Sequence, residues 1–186
     1  MRVTREKAAE NRKRIVDTAS RLFREKGFDG VGVDAIMSGA GLTHGGFYGH
    51  FGSKDDLAAE AVLRALERSV EKQSRHTTLV ELVSEYLSAR HCADRANGCP
   101  IAALGADIAR GHEGVRRSPT EYVRGQLERL TRLLRNGPRA RRRKRAIATL
   151  AGMVGALTLA RAVDDPALSK EILAAARGAF GSGEVA

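Results

Sequence analysis

The sequence predicts an all-α fold of about nine helices, on three observations. Apolar residues recur every three to four positions along most of the 186-residue chain, while the alternation of a strand is nearly absent. Hydrophobic residues make up 42% but aromatics only 4%, with no tryptophan, so the core is built from Ala, Leu, Val and Ile. Capping residues punctuate the apolar stripes at plausible helix ends.

Taken in order, Ile15, Val16, Ala19, Leu22 and Phe23 form the first stripe, which Gly27 closes at the C′ position. A short second helix runs from about Val33 to Ala40, with Gly41 breaking it. Thr43 is a good N-cap for a third helix. Ser53 opens S-K-D-D, close to a capping box, and the fourth helix follows from Lys54 to about Gln73. Leu79, Leu82, Val83, Tyr86 and Leu87 mark the fifth, and Pro100 stands at N1 of the sixth, with Ile101, Leu104 and Ile108. The seventh carries Tyr122, Val123, Gln126, Leu127, Leu130 and Leu134, and ends at Asn136-Gly137-Pro138. The eighth spans about Arg139 to Val163. Asp164-Asp165-Pro166 opens the ninth, with Leu168, Ile172, Leu173 and Phe180, and the tail GSGEVA is expected to fray. No long linker and no internal repeat interrupts this series.

The third helix poses a question of its own. GLTHGGFYGHFGSKDDL holds Gly45, Gly46 and Gly49 among two aromatics and two histidines, and each interior glycine costs roughly 1 kcal/mol relative to alanine. On a 100° wheel from Thr43, Phe47 and Phe51 fall at about 40° and 80°, and the glycines at about 200°, 300° and 240°. The phenylalanines then face a core, and the opposite side is bare backbone that another surface can approach closely. Thr43, His44, Tyr48 and His50 lie at its margins, all able to hydrogen-bond phosphate, and Lys54 follows at a helix N-terminus, which attracts anions. Helix, glycine turn and second helix with an exposed polar face is the helix-turn-helix arrangement, whose second helix enters the DNA major groove. A solvated helix hairpin would explain the phenylalanines but not the glycines.

Charge permits this reading without locating it. The net charge of +10 suits a polyanionic partner, yet residues 1–56 contribute only +2 of it. Much of the rest lies in the PRARRRKR run, where six cations between Arg139 and Arg145 oppose the helix dipole. Contact with flanking DNA or an anionic ligand is one role for that run, and a solvated basic end is the commoner one.

AENRKRIVDTASRLFREKGFDGVGVDAIMSGAGLTHGGFYGHFGSKDDLAAEAV resembles the N-terminal DNA-binding domain of the TetR family of bacterial transcriptional regulators. The resemblance covers nearly all of residues 8–62: G-F after the first helix, D-A-I in the second, then G-L-T-x-G-x-F-Y-x-H-F-x-S-K-x-x-L. It implies a helix-turn-helix domain over 1–53 and a C-terminal helical effector-binding and dimerisation domain over 54–186, linked by helix 54–73. It implies a homodimer reading a palindromic operator, most often as a repressor released by a small-molecule effector. Thr43, Tyr48, His50 and Lys54 match phosphate-gripping positions, and His44, Gly45 and Gly46 match those nearest the bases. Two departures stand out. Val31-Gly32 replaces the usual Thr or Ser cap of the second helix, which puts one phosphate contact in doubt. Gly46 stands where a small side chain is common, so base reading would rest largely on His44, backbone groups and water.

For the dimer, the family resemblance singles out the last two helices. Their candidate interface residues are Ile147, Leu150, Val154, Leu157, Leu168 and Ile172, with Gly152 and Gly155 permitting close approach, although some must serve the internal core. A candidate effector pocket combines Leu104, Ile108, Leu130 and Met153 with Tyr86, Tyr122, Gln126 and Cys99, a mixture usual for small ligands and equally usual for a helical core. Cys99, before the sixth helix, could sense electrophiles through a lowered pKa. Zinc binding by His91, Cys92 and Cys99 matches no common spacing.

No catalytic constellation, phosphate loop or metal pair is evident, so the expectation is no enzyme and no cofactor. The polar N-terminus carries no secretion signal, and Ala146–Ala160 is too short and small-residue-rich to span a bilayer, which points to a cytoplasmic protein. A nonspecific basic DNA-binding protein remains the rival class.

Overall fold

The computed structural model describes residues 4–111 and 113–182. Within them lie nine α-helices and one 3-10 helix, and no strand. In order these are α1 (Arg5–Lys26), α2 (Val33–Gly39), the 3-10 helix (His44–Gly49), α3 (Lys54–Gln73), α4 (Leu79–Tyr86), α5 (Ala89–Ala93), α6 (Pro100–Arg110), α7 (Glu113–Leu133), α8 (Arg139–Ala162) and α9 (Pro166–Gly181).

Local signals set most of the boundaries. Gly27 ends α1 with φ +75°, where a side chain would be strained, and its N–H reaches Phe23 O. Ser53 Oγ accepts from Asp56 N–H at 3.1 Å to start α3. Thr78 and Glu81 form a complete capping box at α4. Asp165 accepts from Ala167 N–H and Leu168 N–H at α9. The tail expected to fray begins with Gly181, the last residue of α9; Gly183 to Ala186 lie outside the described residues.

Two elements depart from expectation. Ser88 caps a short α5 that the apolar pattern does not announce. α7 starts at Glu113, well before Tyr122, and continues through Pro119. A mid-helix proline removes one hydrogen bond and costs about 3 kcal/mol. Burial of Val115 on one side of it and Tyr122 on the other offsets that penalty.

The buried side chains form two clusters. The first joins α1, α2, the 3-10 helix and α3 to Leu104, Ile108, Val115 and Tyr122 of α6 and α7. The second holds α4, the C-terminal half of α7, and α8 and α9. The first core continues past residue 53: α1 packs on α3 and α6, and α7 packs in turn on α3 and α6.

α8 is long and apolar enough by length and composition to cross a membrane. It packs against α5, α6, α7 and α9, with Ala146, Thr149, Met153, Ala156, Leu157 and Ala160 buried. Ile147 and Leu159 on the same helix remain exposed.

Candidate nucleic-acid interface

The surface built by α2 and the 3-10 helix is anchored from below by two phenylalanines. Phe47 and Phe51 are 1% and 4% exposed, with rings stacked 5.7 Å apart. Arg12 of α1 lies 4.4 Å over the Phe51 ring and grips Glu60 of α3 with both terminal nitrogens. Asp17 of α1 draws in Arg64 and Arg68 of α3 at 3.1 and 2.9 Å. Two ion-pair groups therefore clamp α1 to α3, the first of them directly against Phe51.

That segment winds as a 3-10 helix rather than the α-helix its sequence suggested. Only its final turn relaxes, where Phe51 N–H reaches back to Phe47 O at 3.0 Å. The tighter winding redistributes the glycines. A Cβ at Gly45 or Gly49 would meet nothing within 4 Å, whereas one at Gly46 would lie 3.6 Å from Met37 Cε. Gly46 thus turns toward the body of the protein, and the bare outer surface belongs to Gly45 and Gly49.

The polar margin is in place around it. Tyr48 is 71% exposed, braced edge-on against Phe47. Thr43 caps the 3-10 helix without a side-chain hydrogen bond to it and is exposed. His50 and Lys54 are half-buried, Lys54 in the first turn of α3. Gly32 caps α2 by backbone alone, so the contact put in doubt by Val31-Gly32 has no side chain to make it.

Two residues to which the sequence reading gave no site role join this surface. Asp34, in the first turn of α2, contacts His44 Nδ1 through Oδ1, which leaves Nε2 without a partner among the described residues. Arg14 places its guanidinium over the turn at Gly41, whose φ of +68° suits glycine, and a Cβ there would sit 2.7 Å from Nη2. Neither role carries a local signal, although Asp34 belongs to the D-A-I motif, because both residues act across loops.

The other sequence-predicted residues are dispersed. Of the candidate effector residues, Leu104, Ile108 and Tyr122 lie in the first core, and Tyr86, Cys99, Leu130 and Met153 in the second. Gln126 is buried, 6% exposed. Tyr122 bonds Ser69 Oγ at 3.0 Å and accepts from Gln73 Nε2 at 3.2 Å. A cleft of about 210 Å3 lies elsewhere, lined by Arg24, Arg95 and Arg161 among others, and none of the eight residues lines it. Cys99 is 4% exposed, the buried placement typical of an unreactive thiol. No group of three metal-ligating side chains occurs among the described residues.

Of the candidate interface residues, Leu157 is fully buried within the chain and belongs to its own core. Ile147 and Leu168 are exposed, and Leu150, Val154 and Ile172 half-buried. Gly152 meets Phe180 of α9 instead of a neighbouring helix axis, while Gly155 faces open space. The basic run is partly occupied internally: Arg139 and Arg143 both bond Glu128 of α7, at 3.0 and 2.7 Å.

Comparison with known proteins places this geometry. Residues 15–61 match the model of the bacterial regulatory proteins of the tetR family. The HTH-type transcriptional regulator AcrR of Shigella flexneri is 41% identical over 59 residues, 32% of this chain and 27% of that protein. LmrA of Bacillus subtilis, another such regulator, is 29% identical over 116 residues, 58% of this chain and 62% of its own. The matches thus span less than two thirds of either relative. Along the whole fold, a TetR-family regulator from Cytophaga hutchinsonii superposes with a TM-score of 0.75 at 22% identity, covering 97% of this chain and 98% of that one. A TetR regulator from Chloroflexus aurantiacus gives 0.75 at 25% identity, over 94% and 96%. These relatives are transcriptional regulators and not enzymes. Residues 15–61 thus form a helix-turn-helix domain of the tetR family of bacterial regulatory proteins, and the chain as a whole has the all-α fold of TetR-family transcriptional regulators.

Proposed function

We propose that the chain is a cytoplasmic repressor that binds a palindromic operator as a homodimer and is released by a small-molecule effector. The observation that carries the DNA reading is the bare backbone at Gly45 and Gly49, open to close approach, with Thr43, His44 and Tyr48 exposed around it. Thr43, Tyr48, His50 and Lys54 would hold phosphates, and His44 would read a base edge through Nε2. Gly46 would lend only backbone.

The dimer reading draws support from the unpartnered apolar side of α8 and α9. Ile147, Leu159 and Leu168 are 49%, 58% and 41% exposed, and a Cβ at Gly155 or Gly178 would meet nothing within 4 Å. A second copy would cover this face, and a two-fold pair is what two half-sites one helical turn apart demand.

Sequencing DNA fragments selected by the purified full chain tests the reading. A palindrome is expected. Salt-dependent retention of unrelated fragments, with no shared motif, would make the protein a nonspecific basic DNA binder instead.

A further inference from the structure

Three arginines from separate parts of the chain line one open cleft: Arg24 in the last turn of α1, Arg95 after α5, and Arg161 in the last turn of α8. The wall between them is small, with Gly27, Ala102 and Ala103. Arg24 is 5% exposed and its buried Nε has no hydrogen-bond partner. No carboxylate pairs with its guanidinium among the described residues. Buried charges in proteins are ordinarily paired. Burial, with repulsion from Arg68 added, pulls the Arg24 pKa down to about 10.

The other two cations have donors to spare. Arg161 donates through Nε to Cys92 O at 3.1 Å and through Nη2 to His91 O at 2.8 Å, but its buried Nη1 is unbonded. Arg95 donates to Arg161 O at 3.0 Å. Nearby acids offset the charge only in part: Asp94 attracts Arg24 without reaching ion-pair distance. Asp94 accepts from Asn97 N–H and Nδ2 at 3.1 and 3.0 Å, and Asp107 pairs with Arg110 at 3.2 Å. Glu25 lines the cleft from an exposed position.

We infer that this cleft binds a small oxyanion, a carboxylate or phosphate group, as the counter-ion that Arg24 lacks. Guanidinium forks match both groups bidentately. At about 210 Å3 the cleft falls below the range for drug-sized ligands, so it takes a compact anion or the anionic head of a longer molecule. The inference names the chemical class of the effector, and for that consequence it rests on the regulator reading above. Occupancy would bridge α1, which packs on α2 and holds Arg12 over Phe51, to α8. Any effect of the anion on DNA affinity must then be matched by an equal effect of DNA on anion affinity.

The test is titration of the DNA-free full chain with inorganic phosphate and with citrate, against chloride at matched ionic strength, by thermal shift and calorimetry. At least one of the two should give saturable stabilisation, and which one responds identifies the group. Arg24→Met should raise Tm in chloride, because an unpaired buried charge is removed, and lose the anion response. Arg95→Gln, at an exposed position, should fold normally and bind about tenfold more weakly or worse. A response equal to that of chloride, or a full response in folded Arg24→Met or Arg95→Gln, overturns the site. Operator selection in chloride alone tests the regulator reading separately. A palindrome without anion binding removes only the cleft, and anion binding without DNA selection removes only the regulator.

Discussion

His91 Nε2 accepts the backbone N–H of Cys99 at 2.9 Å, while His91 Nδ1 donates to Tyr86 O at 2.6 Å. The ring is thereby fixed as the neutral Nδ1–H tautomer, bridging α4, α5 and the start of α6. This role uses His91 for folding, and Cys99 for its backbone, in a segment whose residue types suggested metal or thiol chemistry.

That bridge makes stability depend on pH. Burial, then Arg161 and Lys72, push the His91 pKa below 6.5, against the Tyr86 carbonyl and Asp94. With the folded value below the unfolded one, the unfolded chain takes up the proton first as pH falls. Stability is therefore full above 6.5 and declines below it, by at most about 1.4 kcal/mol per pH unit, until the folded value is passed. Urea unfolding above and below this point should show the slope, and His91→Gln should flatten it. An unchanged slope would assign the dependence to other groups.

His44→Ala should relax preference at one position per half-site by about 1–3 kcal/mol. Asp34→Ala should erode the same preference partially, since Asp34 orients the ring through Nδ1. Motifs selected by the two variants are compared with wild type, and an unaltered motif from His44→Ala would shift base reading to backbone, water and DNA shape.

Lys54→Ala should weaken binding to all DNA alike and reduce the salt slope by about one unit. Affinity measured over a range of salt decides this. Loss of one base preference at constant slope would mean that Lys54 reads sequence.

Ile147→Arg and Leu168→Arg should yield folded monomers, because both side chains are exposed on the apolar side of α8 and α9. Leu157→Arg should unfold the chain instead, since Leu157 has no exposure. Sedimentation combined with circular dichroism separates these outcomes. Folded dimers from the first two variants would move the interface elsewhere.

Gly152→Ala should destabilise by about 1–3 kcal/mol, because its Cβ would overlap the Phe180 ring and force α9 outward. Thermal unfolding of the variant in a Phe180→Ala background should show most of that penalty gone. A penalty of the same size there would trace it to backbone effects.

The sequence by itself determined what short-range chemistry controls. Gly27, Ser53 and Asp165 mark helix ends through hydrogen bonds spanning at most four residues, and the spacing of Phe47 and Phe51 placed both rings in the core. The helix-turn-helix and most helix boundaries were legible for that reason, and the family through the resemblance of residues 8–62. Tertiary structure decided the rest. Packing of Phe47 and Phe51 beneath a glycine-rich segment, which has little helical preference of its own, accompanies the 3-10 winding that turns Gly46 inward. Burial of Val115 and Tyr122 carried α7 through a proline that local rules would treat as a stop. On α8 past its basic start, where Ala146–Ala160 carries no charge, no periodicity could assign Leu157 to the inside and Ile147 to the outside; the neighbours did so. The Arg24 cleft gave no sequence signal, because the arginines that line it, Arg95 and Arg161, come from distant parts of the chain and meet it only once the helices pack.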